Sequence, residues 1–107
     1  MSAREKLFKS IVNIVENSME GYLYEIFVFG SQANKIELIA ADIDIGIKAD
    51  RTIDEVLINQ IKYKLNDELA SLYTFDVVDF AKTDKQFKDV ALLNTENLYN
   101  DSNNSPG

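Results

Sequence analysis

One heptapeptide constrains the fold of this chain more than any other stretch. In Asp42-Ile43-Asp44-Ile45-Gly46-Ile47-Lys48 every second residue is isoleucine. A period of two predicts an extended strand, with Ile43, Ile45 and Ile47 on one face and Asp42, Asp44, Gly46 and Lys48 on the other. The isoleucine face demands a covering layer. Two further apolar, β-favouring runs, residues 25–29 and 73–80, read as strands that could join it in a sheet.

Helical patterns supply the covering layer. Ser2 and Glu5 have the spacing of a capping box, so a helix is predicted from Ala3, with Leu7, Ile11, Ile14, Val15 and Met19 on its stripe and a stop at Gly21. Thr52 and Glu55 repeat the pattern before Leu57, Ile61, Leu65 and Leu69. Thr83 and Gln86 open a last helix containing Phe87, Val90, Ala91 and Leu92. Residues 32–41 read as a short helical turn plus loop. Helices interleaved with apolar strands predict an α/β sandwich, with a parallel or a mixed sheet equally open.

With 107 residues the chain fits one domain, expected over residues 1–99, followed by a disordered polar tail at 100–107. It contains no cysteine and no histidine. Disulfides, thiolate metal sites and imidazole bases are thereby excluded, and any metal must be held by oxygen ligands, as Mg²⁺ or Mn²⁺ is. A net charge of −7 argues against direct binding to nucleic acid. No stretch approaches the length of a membrane span, and the charged start lacks the apolar core of a signal peptide, so a cytoplasmic location is expected.

Three features carry chemistry. Asp44 interrupts an apolar strand, where aspartate is disfavoured. Asp42 projects from the same face, its Cβ about 6–7 Å away, and two like charges so close repel unless a divalent cation lies between them. Gly30-Ser31 closes the first strand, where a glycine lets backbone approach a ligand and exposed amides suit a phosphate. Asp76, in Phe75-Asp76-Val77-Val78-Asp79-Phe80, interrupts the third strand. Asp76 and Asp79 fall on opposite strand faces, so at most one joins the other two acids. Such a set suits phosphoryl displacement, in which two metal ions clamp the attacking and leaving oxygens and catalysis consists of positioning and charge neutralisation.

Gly30-Ser31, ten intervening residues and Asp42-Ile43-Asp44 resemble the signature of the minimal nucleotidyltransferases of the polymerase β superfamily. The later Phe75–Phe80 stretch looks like that family's third-acid strand. The resemblance implies a polymerase β-like core, a small mixed sheet of three to four strands flanked by helices. It also implies metal-dependent transfer of a nucleoside monophosphate, often AMP from ATP, with two Mg²⁺ ions expected. Gly30 and Ser31 would then contact the triphosphate, Asp42 and Asp44 would bind metal, and Asp76 would bind the second metal and act as base. The implied partner is a small all-helical protein of the HEPN type, a toxin that the nucleotidyltransferase antitoxin modifies, within a homo- or hetero-oligomer.

Gln32, Asn34-Lys35 and Ala41 depart from the family pattern, which commonly has a basic residue, a glycine and a serine at those places. These departures keep a second reading open, a non-catalytic antitoxin that neutralises a helical partner by occlusion. A receiver-like signalling domain ranks behind both, because the strands are too few.

Overall fold

A computed structural model describes residues 3–29, 41–69, 73–83, 85–91 and 95–100. Its elements follow the order α1 (Ala3–Ser18), β1 (Tyr24–Phe29), β2 (Ala41–Ala49), α2 (Glu55–Glu68), β3 (Tyr73–Asp79), α3 (Lys85–Ala91) and β4 (Thr95–Asn100). The strands form one mixed sheet in the order β3-β2-β1-β4. β2 pairs parallel with β3, while β1 pairs antiparallel with β2 and with β4. The crossover between the parallel strands is α2, as a parallel pair requires.

The alternation in β2 decides which face is covered. Ile43, Ile45 and Ile47 are fully buried, together with Ile26 and Val28 of β1 and Phe75 of β3. Ile11 and Val15 of α1, Met19 just beyond its end, and Ile58, Ile61 and Leu65 of α2 close over them. α1 ends where expected: Gly21 takes φ +91, a conformation that glycine adopts without a Cβ penalty. The opposite face carries a smaller apolar cluster, Phe27, Phe29 and Phe80, with Val78 against it.

Two local expectations are corrected, and the sheet has the larger of the two expected strand numbers. α2 is capped by Asp54 rather than Thr52: the Asp54 carboxylate accepts from the Val56 amide at 2.9 Å, which places the helix start at Glu55. Thr83 does not cap α3, which begins at Lys85; its hydroxyl donates to the Phe80 carbonyl at 3.1 Å and shapes the turn after β3. A fourth strand occupies residues 95–100, where Thr-Glu-Asn-Leu-Tyr-Asn has little apolar content, and it ends with Asn100 paired to Glu25. The readings placed on Ser2, Leu92 and residues 101–107 lie outside the described residues.

Candidate active site

β2 runs between β1 and β3, so its polar face is flanked on both sides. Asp44 is half-buried there, in register with Phe29 on β1 and with Asp76 on β3, while Asp42 is exposed and in register with Thr74. Registered residues share a sheet face, so Asp76 joins Asp42 and Asp44 on one side. The Asp44 carboxyl titrates above its ordinary value. Burial is the largest cause, followed by the negative charge of Asp76 and then that of Asp42.

Asp76 is exposed and engaged on one oxygen. Its Oδ1 accepts from the backbone amide of Val77 at 3.0 Å and lies 3.2 Å from the Lys62 ammonium of α2. One helical turn beyond Lys62, Asn66 accepts from the Phe75 amide and donates to the Phe75 carbonyl, both at 2.9 Å. The Asn66 side chain thus satisfies the outer edge of β3 and ties α2 to it.

Asp79 does other work. It is 5% exposed, and its carboxylate accepts from the Ile53 amide through Oδ2 and from the Ala81 amide through Oδ1, each at 2.9 Å. These bonds join the end of β3 to the segment that leads into α2. Of the two acids in this strand, Asp76 is the one beside Asp44.

Gly46, on the same face as the acids, has no side chain to fill the space beside them. The structure fills that room with aromatic rings: a Cβ at Gly46 would lie 2.5 Å from the Phe27 ring and 2.7 Å from the Phe80 ring. Beyond these rings, on the same sheet face, a cavity of about 390 Å³ opens between β1, β2, β4 and α3. Glu25, Phe27, Lys48, Phe80, Lys88 and Asn97 are among its lining residues. Neither lysine forms an ion pair among the described residues. Sequence reasoning missed this cavity, because it depends on β4 lying beside β1.

Gly30 and Ser31 lie outside the described residues. The chain leaves the described part of β1 at Phe29, in register with Asp44, and resumes at Ala41, next to Asp42.

The donor set fits a hard divalent cation. Every candidate ligand is a carboxylate oxygen, and the raised Asp44 titration reflects burial first and then the neighbouring acids, both of which a cation would offset. Among the described residues, no three carboxylates already stand in a metal-holding arrangement.

A central strand bearing two acids on one face, with a third acid in register on the parallel neighbour, is an arrangement suited to phosphoryl transfer in an α/β domain. Comparison with known proteins agrees. The polymerase beta nucleotidyltransferase family matches residues 9–104, and the chain belongs to that family. No curated protein matches the sequence.

Several solved structures share the fold. A mutant toxin–antitoxin complex, MntA-HpeT, superposes with a TM-score of 0.74 at 18% identity, over 91% of this chain and 76% of that one. A tri-AMPylated HEPN toxin of Shewanella oneidensis in complex with its MNT antitoxin gives 0.72 at 20% identity, over 94% and 76%. A toxin–antitoxin with AMP-PNP gives 0.73 at 21%, over 91% and 76%. At these identities the likeness is one of fold.

Proposed function

We propose that this chain is the antitoxin of a toxin–antitoxin pair and transfers AMP from ATP to a HEPN-type toxin. The observation that carries the reading is the placement of Asp44 between Asp42 on its own strand and Asp76 on the parallel neighbour. The family membership and the AMPylated HEPN toxin beside a structurally similar antitoxin support it.

In this reading Asp42, Asp44 and Asp76 hold two Mg²⁺ ions, with Mn²⁺ a substitute. The ions supply charge neutralisation on the triphosphate and acidify the attacking hydroxyl. Gly30 and Ser31 would contact the triphosphate through backbone amides and the serine hydroxyl. Asp76 takes the proton of the acceptor hydroxyl on Oδ2, the oxygen with no hydrogen bond among the described residues. The hydroxyl oxygen then bonds to the α-phosphorus, the bond to the bridging oxygen breaks, and pyrophosphate leaves.

Residues 1–99 form the catalytic unit and residues 100–107 a polar tail in this reading, and the pair works in the cytoplasm. Among the described residues no helix is long and apolar enough to cross a membrane. The test is transfer of label from α-labelled ATP and Mg²⁺ to the cognate helical protein. Asp44→Ala abolishes transfer while partner binding persists. Undiminished transfer in that variant refutes the site, and toxin neutralisation without any labelled product supports occlusion instead.

A further inference from the structure

Lys62 reaches Asp76 from the far side of the sheet. Its helix, α2, packs on the isoleucine face, whereas Asp76 opens on the other. β3 is an edge strand, so a long side chain can pass around its rim. Asn66 holds the helix at that rim through its paired bonds to Phe75, which keeps the Lys62 stem within reach.

The result is a third carboxylate whose Oδ1 already has an ion-pair partner, the Lys62 ammonium at 3.2 Å, and a hydrogen-bond donor, the Val77 amide at 3.0 Å. The three acids share a face and influence one another, yet among the described residues they do not form a metal-holding group. A cation already stands at Asp76, and it is an ammonium.

We infer that Lys62 is a built-in counter-ion that occupies Asp76 in place of the divalent ion and is displaced when that ion joins Asp76 to Asp44. Lys62 thereby sets the ion concentration at which the three-acid site assembles. It is a positioning residue that acts through Asp76. Before the ion arrives, the ammonium offsets the repulsion among the acids. The inference rests on the proposed metal-binding role of Asp42, Asp44 and Asp76.

Mn²⁺ titration of the whole chain, without nucleotide and followed by water-proton relaxation, tests it independently of activity. Lys62→Met keeps the apolar stem and removes the competing charge. It is expected to bind Mn²⁺ roughly two- to fivefold more tightly, the range that loss of an exposed ion pair implies. Lys62→Arg keeps the wild-type affinity, and Asp44→Asn abolishes binding in every background. Equal or weaker Mn²⁺ affinity in Lys62→Met overturns the counter-ion role while leaving the metal site standing. Absence of Mn²⁺ binding by the wild-type chain overturns the metal site itself, and the counter-ion role with it.

Discussion

Asp76 and Asp79 sit three residues apart in one strand, and replacing each by alanine should separate chemistry from stability. The Asp79 carboxylate is 5% exposed and accepts two backbone amides, Ile53 and Ala81, at 2.9 Å each. Asp79→Ala leaves the buried Ile53 amide without an acceptor and turns the Ala81 amide, on an exposed residue, to water. The unmade bond at Ile53 costs about 1–3 kcal/mol and the bond lost at Ala81 about 1 kcal/mol, so the variant should lose roughly 2–4 kcal/mol. In a chain of this size that corresponds to a melting temperature lower by about 10–25 °C. Asp79→Asn rescues little, because its amide nitrogen turns a donor toward a donor. Asp76→Ala removes a carboxylate 55% exposed whose ion pair with the 49%-exposed Lys62 is worth about 0–1 kcal/mol, so its melting point should stay within a few degrees of wild type. Transfer to the partner should behave in the opposite way. Asp76→Ala abolishes it, whereas Asp79→Ala retains most of it at a temperature where the variant is folded. Thermal melts followed by circular dichroism, paired with label transfer at 15 °C, read both quantities. An Asp79→Ala protein as stable as wild type, or a fully active Asp76→Ala protein, would refute the assignment of the two acids.

Gly46→Ala pushes a methyl group into the Phe27 and Phe80 rings and should cost about 1–3 kcal/mol in denaturant melts; Phe27→Leu in the same chain should recover part of that loss. The folded-state titration of Asp44 lies above its ordinary value, so the folded chain holds an extra proton in the window between the two values, and its ionised form opposes folding at all higher pH. Asp44→Asn should therefore melt above wild type at pH 7, with the difference shrinking as the pH falls toward 4, and equal melting points at pH 7 would contradict this. Asn66→Ala leaves the Phe75 amide and carbonyl at the β3 edge without their side-chain partner and should cost about 1–3 kcal/mol, with faster amide exchange along β3.

What the sequence disclosed depended on the periodicity of each segment. β2 was legible because its isoleucines are all inward and its acids all outward, and a one-residue slip would bury two carboxylates. The parity argument that only one of Asp76 and Asp79 joins Asp44 holds, and the register shows that it is Asp76. β4 was illegible because an edge strand built from Thr, Glu, Asn, Leu, Tyr and Asn lacks a continuous apolar face and owes its pairing to β1. Lys62 and Asn66 stand four residues apart on α2, a spacing that shows they share a helix face but not that this face meets the rim of β3. At Gly46 the sequence shows only that a side chain is missing beside the acids. Only the packing of Phe27 and Phe80 reveals that the space is already taken.

The two faces of the sheet divide the labour of the fold. Core burial on the isoleucine side draws on both α1 and α2, and none of the three acids contributes to it. The uncovered side needs only the phenylalanine cluster to hold Gly46 close, and this leaves the far end of β2 free to carry charge. Asp44 takes the central strand, where flanking on both sides raises its titration, while Asp42 and Asp76 remain in water. The most perturbed carboxylate is therefore the one with most to gain from a bound cation, and it is also the one equidistant in register from the strand that leads to Gly30-Ser31 and the strand that bears Asp76. Because these acids lie outside the core, they are replaceable without unfolding the chain, and loss of transfer in the Asp44 variants reports on chemistry rather than on stability.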